Sequence, residues 1–142
     1  FWQVTDWLVL DASAAWTDAA YKDEPSDADR IPGAVETVFG GGAVLSQGPV
    51  TASLRLRHFG EAPLTEDGSV TSDPTTLVNA GVHWDFGRFI VGVDALNLFD
   101  SEDGDITYFY ESQLPGETDP VEDIHFHPVE PRQLRLTLRA SL

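Results

Sequence analysis

Apolar residues recur at every second position over much of this chain, and the clearest case is its last segment. Leu134, Leu136, Leu138, Ala140 and Leu142 share one parity, while Arg135, Thr137, Arg139 and Ser141 share the other. Period two is the signature of a β-strand with one apolar face. The same alternation predicts a strand over residues 6–19, with Leu8, Leu10, Ala12, Ala14 and Trp16 opposed to Asp11, Ser13, Ala15 and Thr17. It predicts others over residues 35–45, 50–60, 75–86 and 89–99, which with 133–142 makes six. The third sets Val50, Ala52, Leu54 and Leu56 against Thr51, Ser53, Arg55 and Arg57. The fourth sets Val78, Ala80, Val82, Trp84 and Phe86 against Asn79, Gly81, His83 and Asp85. In the fifth, Phe89, Val91, Val93 and Ala95 oppose Gly92 and Asp94, and the pattern blurs at Leu96-Asn97-Leu98. Gly40-Gly41-Gly42 weakens the second strand, because glycine costs strand stability and often marks a bend.

The connections alternate in length. Polar stretches at 21–33 (Ser26 among them), 61–74 and 100–131 are long, whereas Ser46-Gln47-Gly48-Pro49 and Asp85-Phe86-Gly87-Arg88 fit tight turns. The pattern predicts one all-β domain over residues 1–142: an antiparallel up-and-down meander, a β-barrel or a segment of one. Long loops at one end and tight turns at the other are the layout of outer-membrane barrels. In that setting the leucines face lipid and the charges face a lumen, because an arginine toward lipid at mid-bilayer costs roughly 2–4 kcal/mol. Arg55, Arg57, Asp85, Asp94, Arg135 and Arg139, with Asp11, form the expected lumen-facing set. Trp84, Phe86 and Phe89 flank a tight turn, where an aromatic girdle belongs.

Charge narrows the partners. With 24 acidic against 8 basic residues the net charge is −16, which argues against nucleic acid and favours cationic partners. Cysteine is absent, so no disulfide or thiolate site exists. Methionine is absent too, and a chain starting Phe1-Trp2-Gln3 leads us to expect a processed product or a fragment. No run approaches the roughly 18 apolar residues of a membrane helix.

Several blocks in order carry a resemblance. These are Asp29-Arg30-Ile31-Pro32-Gly33-Ala34-Val35-Glu36, Leu54-Arg55-Leu56-Arg57-His58-Phe59-Gly60, Thr76-Leu77-Val78-Asn79-Ala80 and Asn97-Leu98-Phe99-Asp100. The runs 105–117, around Tyr108-Phe109-Tyr110, and 123–132, around His125-Phe126-His127-Pro128, continue it. Together they resemble the C-terminal barrel portion of TonB-dependent outer-membrane receptors. The resemblance implies a bacterial outer-membrane location and the last strands of a roughly 22-stranded barrel. The parent function would be uptake of siderophore-bound iron or a similar scarce solute. The implied partners are outer-membrane lipid, the rest of the barrel and its plug; TonB would be reached only through N-terminal parts that these residues do not include. One departure is Leu142, where the family's last residue is usually Phe. Six strands fall short of the usual minimum of about eight for a closed membrane barrel. The open edges would therefore pair with the rest of the barrel or with further copies of the chain as a homo-oligomer. The alternative is a self-contained small β-barrel binding a ligand or metal through its acidic loops.

Candidate chemistry is confined to the last long connection. His125 and His127, two apart on an extended segment, would present both imidazoles to one side as ligands for a metal. The plainer reading is a loop packed by Phe126 and Pro128. Asp100, Asp103 and Asp105 have partial calcium-loop spacing, with Glu111 the one bidentate candidate; a solvated acidic loop is the alternative. A loop-bound calcium or other divalent cation is thus the only cofactor considered. Tyr108, Phe109 and Tyr110 could stack on an aromatic or sugar ligand, or simply stabilise a strand extending above the membrane. No nucleophile motif, phosphate-binding glycine loop or zinc-protease helix is present, so no enzymatic activity is expected.

Overall fold

A computed structural model describes residues 2–25 and 27–141. Phe1, Ser26 and Leu142 lie outside the described residues, and with them the assignment of Ser26 to a polar loop and of Leu142 to the apolar face. The chain is all-β and antiparallel, as the alternation predicts, but the described residues form nine strands rather than six. They are β1 (Trp2–Thr5), β2 (Leu8–Trp16), β3 (Thr37–Gln47), β4 (Val50–Phe59), β5 (Thr75–Asp85), β6 (Phe89–Leu96), β7 (Gly104–Ser112), β8 (Val121–Pro128) and β9 (Gln133–Ala140). Strands β1 to β6 and β9 form one seven-stranded meander in the order β1-β2-β3-β4-β5-β6-β9. Strands β7 and β8 pair only with each other, as a hairpin within the third long connection. The extra strands have local causes. A turn at Asp6-Trp7 folds β1 back onto β2, and β7 and β8 alternate around Tyr108-Phe109-Tyr110 and His125-Phe126-His127 inside what the polarity of 100–131 marks as loop.

The three tight turns, 6–7, 48–49 and 86–88, fall at one rim, and the segments 17–36, 60–74 and 97–132 at the other. Gly48 and Gly87 adopt φ of 57° and 84°, values that a side chain resists and that a tight hairpin turn requires. The short rim is stitched by Ser46 N–H to Trp7 C=O, Asp85 N–H to Pro49 C=O and Ser141 N–H to Arg88 C=O, at 2.8, 2.8 and 3.0 Å.

Register places every predicted parity set on one surface. Leu8, Leu45, Ala52, Val82, Val93 and Leu136 form one row across six strands, and Leu10, Ala43, Leu54, Ala80, Ala95 and Leu134 form the next. The reverse face carries Asp11, Gly42, Arg55 and Asn79 in one row and Val44, Ser53, Gly81, Asp94 and Arg135 in another. Among the described residues nothing covers the apolar face: Leu134, Leu136 and Leu138 are 76, 75 and 69 % exposed, and even Leu54 in an inner strand is 49 % exposed. The sheet is open, with β1 at one edge and β9 at the other. An apolar face without a core beneath it, on strands of up to 11 residues, has the length of a membrane-crossing strand.

Glycines on the polar face leave room for long charged side chains to lie flat. Arg55 donates to Asp11 at 2.7 Å across Gly42, and a Cβ on Gly42 would sit 2.8 Å from both Arg55 Cζ and Asp11 Oδ1. His83 and Asp94 lie 3.0 Å apart beside Gly81 and Gly92, where a Cβ on Gly81 would come within 2.5 Å of Asp94 Oδ1. We expect Gly42→Ala to push Arg55 off Asp11 at a cost of up to about 1 kcal/mol, the worth of a partly exposed pair. A double-mutant cycle checks it: Asp11→Asn should destabilise the parent chain but add nothing in the Gly42→Ala background.

Candidate functional site

Apart from Gly81 and Gly92 within the sheet, the buried described residues, Ala62, Pro63, Leu64, Thr75, Asn97 and Val129, sit at the long-loop rim, where three connections meet. Two adjoining cavities open there, of about 480 and 460 Å3. The first is bordered by Arg57 and Phe59 of β4, Leu77 of β5, Leu64 and Asp73 of the second long connection, and Asp105 and Tyr108 of β7. The second is bordered by Leu77 and Asp105 again, with Leu96, His127, Glu130 and Arg135. Sharing Leu77 and Asp105, the two form one groove over the mouth of the polar face, roofed by the inner side of the hairpin.

Asn97 fixes this roof. The end of β6 turns at Asn97 with φ 47°, a left-handed value that asparagine tolerates better than most residues. Its Nδ2 donates to the carbonyls of Ser101 and Glu130 at 2.9 and 3.0 Å, and its Oδ1 accepts from Ser101 N–H at 2.9 Å. Its own N–H donates to Asn79 Oδ1 at 2.9 Å. One buried side chain therefore ties the exit of β6 to the re-entry before β9. Asp100, also left-handed at φ 58°, accepts from Arg132 N–H at 2.8 Å and faces the Arg132 guanidinium at 3.5 Å. Thr75 Oγ1 donates to Gly104 C=O at 2.6 Å, latching the start of β5 to the start of β7.

The other long connections brace the same rim. Arg30 Nη1 contacts Glu36 at 3.1 Å and Asp18 at 3.4 Å, while its backbone N–H donates to Glu66 C=O at 2.9 Å. Within the second connection, Asp67 accepts from Ser69 N–H at 3.1 Å and Ser69 Oγ at 2.8 Å. The Thr65 hydroxyl and these two Ser69 donors stabilise the carboxylate and hold its pKa at about 2, below the ordinary 3.8. A depressed carboxylate contributes stability that is complete above its ordinary pKa and lost as pH falls through the folded value. We therefore expect Asp67 to titrate near pH 2 by carboxyl NMR, and Thr65→Ala or Ser69→Ala to move it back toward 3.8.

The predicted site residues separate. Arg55, Arg57, Asp85, Asp94, Arg135 and Arg139 do share one face, together with Asp11. They do not form a continuous ion-pair network: among the described residues Arg55 pairs with Asp11, Asp94 engages His83, and Arg57 lies 6.0 Å over the Phe59 ring. Tyr108 borders the groove, Tyr110 stacks on His125 at 4.0 Å, and Phe109 lies on the opposite face of the hairpin, opposite Ile124, so the three rings do not make one platform. His125 and His127 share a face of β8, as their spacing requires, yet His125 is held against Tyr110 with its Nε2 buried and unpartnered. Among the described residues no three His, Asp or Glu side chains gather at one point. The reason is local: Asp100 serves Arg132, Asp103 accepts from the Ser101 hydroxyl and from Thr76 N–H, and Asp105 faces the groove.

Charge is sorted along the strand axis. Of the 24 acidic residues only Asp6, Asp11, Asp85 and Asp94 lie away from the long-loop rim and its hairpin, whereas only Lys22, Arg30 and Arg132 of the 8 basic ones lie there. The rim and its hairpin thus carry a net −17, above strand walls at a net +1. Sequence reasoning missed Asn97 and this groove. The blurred alternation at Leu96-Asn97-Leu98 was the available signal. The chain matches no family model, and no curated protein matches it.

Proposed function

We propose that this chain is a membrane-embedded barrel segment, the C-terminal portion of an outer-membrane transport receptor of the TonB-dependent kind. Its apolar face meets lipid and its polar face lines the lumen of a larger barrel. Within that receptor it would serve uptake of siderophore-bound iron or a similar scarce solute, and by itself it transports nothing. The observation that carries the reading is the unbroken apolar band across β2 to β6 and β9, backed by charged pairs on the reverse face, with no core against either. Along β3, Phe39 at the long rim and Gln47 in the row of Trp84 are separated by eight residues, or about 26 Å of strand. Tilted near 40° that is about 20 Å of height, close to the roughly 25 Å apolar band of outer-membrane barrels. Trp84 and Phe86 stack at 5.5 Å beside the short turn, and Trp16 and Phe39 lie toward the other rim, so aromatic rings edge the band on both sides. The order of the sequence blocks is what favours a receptor of this kind over another barrel.

The open edges at β1 and β9 favour one further reading, in which copies of the chain pair edge to edge. Light scattering behind a sizing column, with and without detergent, tests both. The barrel-segment reading expects a species soluble only in detergent, as a monomer or as a defined edge-paired multimer. A monodisperse monomer in plain buffer would overturn both readings.

A further inference from the structure

The groove at the long-loop rim brings together charges that make no ion pair among the described residues. Five ion pairs occur among the described residues, and none involves Arg57, Arg135 or Asp105. Yet all three side chains border the two joined cavities: Arg57 the first, Arg135 the second, Asp105 both. The arginines rise from the strand wall, on β4 and β9, while Asp73, Asp105 and Glu130 border the groove from the loop side. Phe59 and Leu77 of the strand wall and Tyr108 of the hairpin add apolar surface to the same groove. We propose that this groove binds an amphoteric solute: an acidic group on the guanidinium of Arg57 or Arg135, a cationic group toward Asp105 and its neighbouring carboxylates, and a ring or alkyl body against Phe59, Leu77 and Tyr108.

Each part of that class has a separate physical reason. A guanidinium presents a planar fork of donors that matches a carboxylate or a similar paired-oxygen group, and no protein acid occupies these two. The acidic rim concentrates cations and repels polyanions before they reach the arginines, so an acid without a balancing cationic group meets an unfavourable field on the way in. A simple cation is drawn to the rim but meets the arginines at the wall. Only a molecule carrying both signs is favoured at both levels. Ala62, Leu64, Thr75, Asn97 and Val129, all buried, border the groove and give it a fixed shape, which a flexible loop surface would lack.

This inference deepens the barrel-segment reading by naming a solute class for the same mouth, and it is tested separately from that reading. The probes are three fluorescent molecules with one common ring system: ε-dansyl-lysine, which carries a carboxylate and an amine; dansyl-cadaverine, which carries the amine alone; and dansyl-6-aminohexanoate, which carries the carboxylate alone. They are titrated into the purified full chain in a non-ionic detergent, following dansyl emission. The expected result is that ε-dansyl-lysine binds about tenfold more tightly than either relative, the size of one charge-assisted contact. Arg57→Gln with Arg135→Gln should reduce it to the affinity of dansyl-cadaverine, and Asp105→Asn should bring it toward that of dansyl-6-aminohexanoate. Equal binding of all three by the parent chain overturns the proposal without any variant having to fold. If the chain proves soluble without detergent, the barrel reading fails, and the same titration in plain buffer still decides the groove.

Discussion

Replacing Asn97 with alanine should destabilise the fold by roughly 3–4 kcal/mol, the largest effect expected of any single side chain at the long-loop rim. The side chain makes three hydrogen bonds, to Ser101 N–H, Ser101 C=O and Glu130 C=O, in a site 5 % exposed. Deleting it leaves three backbone groups without their partner, at about 1 kcal/mol each. Alanine at φ 47° adds roughly 1 kcal/mol of backbone cost. Asn97→Gly separates the terms, because glycine accepts the left-handed backbone but makes no side-chain bonds; it should recover about 1 kcal/mol of the loss. Denaturant titration in detergent gives the totals. Amide exchange at the base of the hairpin should accelerate in both variants, while the centre of β4 stays protected. A loss under about 1 kcal/mol for Asn97→Ala would mean that the roof is held by other contacts.

The second large effect concerns which solvent each face meets. Leu54 lies in the middle row of the apolar band, between Ala43 and Ala80, and Ala43 is midway between Phe39 and Gln47 on β3. Leu54→Arg should cost roughly 2–4 kcal/mol, the penalty for an arginine facing lipid at mid-depth. Ser53→Arg, one residue away on the reverse face and next to Gly81 and Asp94, should change stability by no more than about 1 kcal/mol. The contrast is the informative quantity. In water a side chain as exposed as Leu54 would accept arginine at little cost, so equal and small effects for the two variants would place the apolar face against water instead of lipid.

Much of this architecture is legible in the alternation alone. Strands β3, β4, β5, β6 and β9 fall where period two predicts them, because each carries one largely apolar parity. Even the glycine-rich β3 holds its place, since its glycines accommodate Ser13, Arg55 and Asp11 from neighbouring strands. The misses share a cause. Strand β1 is four residues long and too short to show a period, so the expected strand over 6–19 absorbed its turn. Strands β7 and β8 mix polar, aromatic and aliphatic residues on both faces within a polar stretch, so polarity alone reads them as loop. Asn97 was invisible for a different reason: its role depends on Asn79, Ser101 and Glu130 converging, and Glu130 lies 33 residues away. The charged set shares one sheet face, as its parity requires, but pairing within it depends on which residues lie over glycines, which composition does not reveal. The same holds for the net charge, whose sign was evident from the sequence while its confinement to one rim required the topology.

The most direct test of the central claim is quenching of tryptophan by a brominated alkyl maltoside. Trp84 stands on the apolar face beside a tight turn, and Trp2→Phe, Trp7→Phe and Trp16→Phe together leave it as the only fluorophore of its kind among the four tryptophans. If the apolar face is covered by the alkyl chains, Trp84 emission falls steeply in the brominated detergent relative to the ordinary one and shifts to the blue. Emission unchanged by bromine, from a chain that needs no detergent to stay in solution, would contradict the account.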